Sequence, residues 1–172
     1  MQNEHEQLIA LEALLFVASK PLSEKEIYAH LASHFPDLEV SEVIKALQNL
    51  YVQQNRAFRI GYVSGGYLLE TKAEVAPYIS SFVTPRKSRL SKGALEVLSI
   101  IAYKQPITRP EIDAIRGIDS GPHVETLLEG EWIVSKGKKE VPGRPTLFGT
   151  TEKFLLHFNL PSIEKLIEHS TV

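Results

Sequence analysis

Leu95-Glu96-Val97-Leu98-Ser99-Ile100-Ile101-Ala102-Tyr103-Lys104-Gln105-Pro106-Ile107-Thr108-Arg109-Pro110-Glu111-Ile112 repeats the plan of an earlier stretch. That stretch is Leu11-Glu12-Ala13-Leu14-Leu15-Phe16-Val17-Ala18-Ser19-Lys20-Pro21-Leu22-Ser23-Glu24-Lys25-Glu26-Ile27, and the offset of 84 becomes 85 after the extra Gln105. Each opens as a strongly apolar helix, Leu8 to Val17 and Ala94 to Tyr103. Lys20-Pro21 and Gln105-Pro106 stop these helices, because proline lacks an N–H and disfavours helix in the residue before it. A capping box then opens a second helix in each copy, at Ser23-Glu24-Lys25-Glu26 and at Thr108-Arg109-Pro110-Glu111. The second helix is short, carrying Ile27 and Leu31 or Ile112 and Ile115, and it breaks at Phe35-Pro36-Asp37 or Gly117-Ile118-Asp119.

Outward from these stretches the repeat continues. A third helix carries Val43, Ile44, Leu47 and Leu50 at helical spacing; Val124, Leu127 and Leu128 play that part after Ser120 as N-cap. A strand–turn–strand follows. Phe58 to Val63 and Tyr67 to Glu70 flank Ser64-Gly65-Gly66, a glycine turn tolerant of positive φ. Trp132 to Val134 and Thr146 to Phe148 flank a longer loop, Ser135 to Pro145. A closing helix ends each copy, Ala73 to Val83 and Glu152 to Phe158. Three helices and a hairpin wing make a mainly α fold with small β-hairpins (α+β), read as two tandem winged-helix domains. The expected boundaries are an N-terminal domain at 1–83, a linker at 84–90, a C-terminal domain at 91–160 and a helical tail at 161–172. Thr84-Pro85-Arg86-Lys87-Ser88-Arg89 has the polar, proline-containing character of a linker.

Composition narrows the function. Of 172 residues, 43% are hydrophobic and 23% charged, which is globular usage and argues against a mainly disordered chain. There is no cysteine, so disulfides, cysteine-ligated zinc and thiol nucleophiles are excluded. No apolar run approaches the roughly 20 residues of a membrane helix. The start lacks the basic region of a secretory signal, and the expected location is cytoplasmic. Residues 1–85 carry six Lys/Arg against ten Asp/Glu, and residues 86–172 thirteen against eleven, so no strong overall field draws the chain to a polyanion.

A helix-turn-helix with a wing suggests DNA, and the third helices test that suggestion. A reading helix presents Arg, Lys, Asn or Gln to base edges and phosphates. Val40 to Tyr51 offers Lys45, Gln48 and Asn49 beside Glu39 and Glu42. Gly121 to Trp132 has no Lys or Arg, only Glu125, Glu129 and Glu131, which phosphates repel. Basic residues cluster instead in the linker (Arg86, Lys87, Arg89, Lys92) and the second wing (Lys136, Lys138, Lys139, Arg144). Enzyme signals are poor. His30 and His34 lack the glutamate of H-E-x-x-H and read as solvent-facing, and the two S-x-x-K matches fall in a wing and at a helix cap. No catalytic, cofactor or metal residue is assigned.

Two features exceed the needs of a plain fold. The first helix is apolar around most of its circumference, with Leu8, Ile9, Leu11, Leu14, Leu15, Phe16 and Val17. One stripe faces its own core, and the remainder reads as a symmetric dimer face with Leu8, Leu11, Leu15 and Phe16 as candidates; burial under the closing helix is the alternative. Around the second helix-turn-helix, Tyr103, Gln105, Arg109 and Arg116 form a polar and aromatic set of the types that interface hot spots use.

At these residues the chain resembles the segregation and condensation protein B (ScpB) family. Leu90 to Ile112 with Ile115-Arg116-Gly117, Pro142-Gly143-Arg144-Pro145, Gly149 to Leu155, Leu11 to Leu22 and Gly66 to Lys72 carry the resemblance. It implies a non-enzymatic, cofactor-free subunit of the bacterial SMC condensin: a nucleoid-associated homodimer of tandem winged helices that binds the kleisin ScpA, and through it the SMC ATPase. It also accounts for base-poor recognition helices, since a protein-binding scaffold has no need of them. Under it Tyr103, Gln105, Arg109 and Arg116, with Arg144 and Phe148 near the wing, are the expected kleisin contacts. The alternative function is a DNA-binding transcriptional regulator working through the first domain and the basic linker.

Overall fold

The apolar helix that opens each repeat forms as its pattern requires. α1 spans Gln2–Val17, beginning before the expected Leu8, and its counterpart α5 spans Lys92–Lys104, capped by the Ser91 hydroxyl, which accepts from Ala94 N–H at 3.2 Å. The computed structural model describes residues 2–82 and 90–168, which fall into two compact units, Met1–Arg86 and Lys87–Val172. The linker expected at 84–90, with Arg86, Lys87 and Arg89, lies outside the described residues except for Leu90.

In the first unit α1 is followed by α2 (Glu24–Leu31), α3 (Val40–Gln53), an antiparallel hairpin of β1 (Phe58–Val63) and β2 (Gly66–Thr71), and a single-turn α4 (Ala76–Ile79) after a 3-10 turn at Ala73–Val75. The closing helix expected over Ala73 to Val83 is thus much shorter, and Val83 lies outside the described residues. α2 ends at Leu31, so His30 and His34 do not share a helix. The hairpin turns through Ser64 (φ 51°) and Gly65 (φ 75°), the two positive-φ positions of a type I′ turn. Leu22 adds a third, one-residue rung: its N–H donates to the Tyr67 carbonyl at 2.9 Å and its carbonyl accepts from Tyr67 N–H at 2.8 Å. This close approach explains Gly66, where an added methyl would stand 2.9 Å from the Leu22 carbonyl carbon. Leu11, Leu15, Ile27, Ile44, Leu47 and Ile60 fill the core.

The second unit repeats the plan. After α5 come β3 (Ile107–Thr108), α6 (Arg109–Arg116), α7 (Gly121–Glu129), β4 (Ile133–Lys138), β5 (Thr146–Thr150), α8 (Glu152–His157) and α9 (Ile163–Glu168). β5 lies between β3 and β4, pairing antiparallel with both; Ile107 stands opposite Phe148 as Leu22 stands opposite Tyr67. The β4–β5 register shifts between Ser135 and Lys138, where Gly137 takes φ 113°. Val97, Leu98, Ile101, Ile112, Leu127 and Trp132 form the core, and Ile163 and Leu166 of α9 pack partly against it. Ser120 begins α7, but its hydroxyl accepts from Arg116 Nη1 at 3.1 Å instead of capping the helix.

Both capping boxes close. The Glu26 carboxylate accepts from Ser23 N–H (2.9 Å) and the Ser23 hydroxyl (2.7 Å). Glu111 accepts likewise from Thr108 N–H and hydroxyl, and from Lys139 Nζ of the wing at 2.5 Å. The Ser23 bonds and Lys20 hold Glu26 at about 2, and Lys139 with Thr108 holds Glu111 at about 2, against an ordinary 4.5. Between those values the unfolded chain binds more protons than the folded one, so stability rises with pH there. The contribution is complete above the unfolded value and is lost as pH falls toward 2. Thermal midpoints are expected to drop over that window, and less steeply in a Glu26→Gln/Glu111→Gln double variant. An equally steep drop in the double variant would place the acid sensitivity in other carboxylates.

Candidate interaction surfaces

The helix that follows each helix-turn is the first surface to examine, because a groove-reading protein presents its donors there. α7 contains no Lys or Arg, and its charged residues Glu125 and Glu129 are exposed. On α3, Lys45 donates to Glu42 at 2.9 Å, and the Gln48 amide donates to the Ile60 carbonyl at 3.1 Å. Of the three α3 residues suited to base reading, one is ion-paired and one is used to hold the hairpin. The second wing is similarly committed in part: Lys139 pairs with Glu111, and Arg144 with Glu140 at 2.7 Å. Phosphate binding draws on unpaired cations, so these pairings weaken the case for DNA further. Among the described residues no cluster of three or more His, Asp or Glu is placed to hold a metal ion.

Apolar surface is more plentiful. The outer stripe of α5 leaves Leu95 and Tyr103 exposed while Val97, Leu98, Ile101 and Ala102 enter the core. Leu95, Leu98, Ser99, Ala102 and Tyr103 form one wall of a groove of about 280 Å³; Phe154, Phe158, Leu160 and Leu166, from α8 onward, form the other. The lining carries no charged residue. In the first unit Ile9, Ala13 and Phe16 of α1 line a shallower groove of about 290 Å³ with Phe58 and Leu69 of the hairpin. Its one acidic residue, Glu12, accepts from the Tyr51 hydroxyl at 2.6 Å; burial first, and then this bond, push the Tyr51 pKa up.

The residues singled out from sequence part company here. Tyr103, 43% exposed, stands on the α5 groove. Arg109 is half-exposed at the start of α6, its guanidinium bonded to Asp119 and 3.6 Å from Asp113; these carboxylates, Asp119 first, raise its pKa and hold the α6–α7 turn. Arg144 is exposed at the wing tip. The other three are engaged within the unit. Phe148 is a core residue of β5. Arg116 has a side chain only 3% exposed and braces Glu96, the Asp119 carbonyl and Ser120. The Gln105 amide accepts from Thr150 N–H at 2.7 Å and donates to Thr150 Oγ1 at 3.0 Å, tying the end of α5 to β5. Gly149 makes room for that clamp, since a methyl there would meet Gln105 Oε1 at 2.7 Å.

On α1, Leu11 and Leu15 are buried in the unit's own core, with Leu8 packed beside them. Phe16, at 75% exposed, is the one of the four that faces outward. The helical period decides this, because Leu8, Leu11 and Leu15 lie on one face and Ile9, Ala13 and Phe16 on the opposite one. The α5 groove was missed for the same reason. Leu95, Ser99 and Tyr103 recur every four residues, a second stripe beside the core stripe that becomes visible only once the core stripe is assigned.

A family model described as segregation and condensation complex subunit ScpB matches residues 9–169. The chain belongs to the ScpB family. Among its relatives, segregation and condensation protein B of Moorella thermoacetica is 43% identical over 157 residues, covering 91% of this chain and 80% of the relative. That of Clostridium perfringens is 40% identical over 170 residues, covering 94% and 86%. A solved ScpB from Mycobacterium tuberculosis is 28% identical with a TM-score of 0.41, covering 91% and 97% of the two chains. A structure of an ScpB N-terminal domain dimer complexed with ScpA peptide is 35% identical with a TM-score of 0.41, covering 46% of this chain and 96% of that one. Among the described residues no helix is long and apolar enough to cross a membrane.

Proposed function

We propose that the chain is a non-enzymatic adaptor of the segregation and condensation complex, acting at the chromosome in the cytoplasm. Two copies pair through their N-terminal units, and each C-terminal unit offers its surface to a segment of the kleisin ScpA, which links the pair to the SMC ATPase. Chromosome condensation is then driven by the ATPase, and this subunit sets the geometry of the assembly. Membership of the ScpB family carries the reading, and the surface chemistry supports it: α7 repels phosphates, while the α5 groove suits the apolar face of an amphipathic helix.

Tyr103 is the anchor assigned to that contact, with Leu95 and Phe158 beside it and Arg109 and Arg144 as outlying charged contacts. Gln105, Arg116 and Phe148 act inside the unit and hold the surface in shape. A pull-down from nuclease-treated native lysate, with this chain as bait, tests the function. Retention of a kleisin and an SMC ATPase without DNA is the expected result. Their absence, with recovery of specific DNA fragments when nuclease is omitted, would favour the regulator reading.

A further inference from the structure

The first unit ends in a short apolar arm in which Val75 and Ile79 are half-buried and the two aromatic rings stand out. Tyr78 is 83% exposed and Phe82 91% exposed, the most exposed large apolar residues among those described. From Val75 to Phe82 the arm carries no charge, so nothing in its own sequence makes water a favourable environment for two aromatic rings. On the same unit the groove of Ile9, Ala13, Phe16, Phe58 and Leu69 is open, and its one carboxylate, Glu12, is bonded to Tyr51. A cavity of roughly 150 Å³ takes one benzene ring, so about 290 Å³ has room for the two rings of one arm.

We propose that the arm of one copy docks in this groove of a second copy, reciprocally, so that each subunit both donates and receives Tyr78 and Phe82. This rests on the pairing of N-terminal units proposed above and names the contact that makes it. Reciprocal exchange is what a two-fold interface requires, since the same patch must serve on both subunits. Four aromatic side chains bring roughly 600–1,000 Å², a large part of the roughly 1,200 Å² at which stable specific interfaces begin. A domain of this size also buries a smaller share of its surface than a larger one, so the added burial has a stabilising effect to exert.

The absence of cysteine gives a clean test. Tagged Ala13→Cys chain and untagged Ser81→Cys chain are mixed, allowed to exchange and oxidised; only a disulfide between subunits joins one tagged to one untagged chain. That mixed-size band is expected on a non-reducing gel. It should fall at least tenfold when Tyr78→Ala and Phe82→Ala are added to the Ser81→Cys chain, while circular dichroism stays unchanged. A wild-type dimer by light scattering with no mixed band would overturn the arm exchange and leave the pairing standing. A wild-type monomer at tens of micromolar would overturn both.

Discussion

Leu15→Ala is expected to destabilise the N-terminal unit by about 2–5 kcal/mol, whereas Phe16→Ala one position on should change stability by less than about 0.5 kcal/mol. The two residues share a helix and similar hydrophobicity, and differ in the face they occupy. Leu15 is 2% exposed among Leu11, Ile44 and Leu47, so truncation leaves a cavity that the packed α1–α3 pair cannot fully close. Phe16 projects into the groove of the outer face, and its loss should be read in the dimer dissociation constant instead. Urea unfolding followed by circular dichroism checks the first half. Emission from Trp132, the sole tryptophan, reports separately on the core of the second unit and should move less. Equal stability losses from the two variants would mean that α1 is packed otherwise than described. Leu15→Glu should unfold the unit outright, because a carboxylate at this position has no partner and no water.

The second large effect is on partner affinity. Leu95→Ala combined with Tyr103→Ala is expected to weaken ScpA binding by about 2–4 kcal/mol, roughly 30- to 1,000-fold, if the α5 groove holds the hot spot. Both side chains are exposed, so the fold should survive their truncation, and unchanged Trp132 emission confirms that it has. Arg109→Ala should cost binding much less, because that guanidinium is already engaged by Asp119 and Asp113. Calorimetry with purified kleisin decides between them. Undiminished affinity in the Leu95/Tyr103 variant would remove the groove from the interface.

Much of the fold was legible in the sequence because its signals are local. Prolines 21 and 106 mark where the opening helices have ended, Ser23/Glu26 and Thr108/Glu111 cap the next ones, and Ser64-Gly65 closes the first wing. The length of the closing segment was not legible, since Ala73 to Phe82 has helical composition but Pro77 and the lack of a packing face limit it to one turn. The surface was harder still. Gln105, Arg116 and Phe148 have the residue types of an interface, yet each is consumed by a long-range partner: Thr150 for Gln105, Glu96 for Arg116, and Ile107 across the sheet for Phe148. Nothing local in the chain announces such pairings. The exposed stripe on α5 needed the opposite knowledge, namely which apolar residues the core leaves out.

The adaptor reading stands most directly on one titration: purified kleisin ScpA into this chain, at about 0.05 M and 0.5 M salt, with light scattering to count the subunits. A saturable complex containing two copies of this chain, with affinity changed less than about tenfold between the two salts, is the expected result, because apolar burial is far less screened than phosphate contact. No complex with the kleisin at either salt, from a chain that binds duplex DNA tightly at low salt and releases it at high salt, would contradict it.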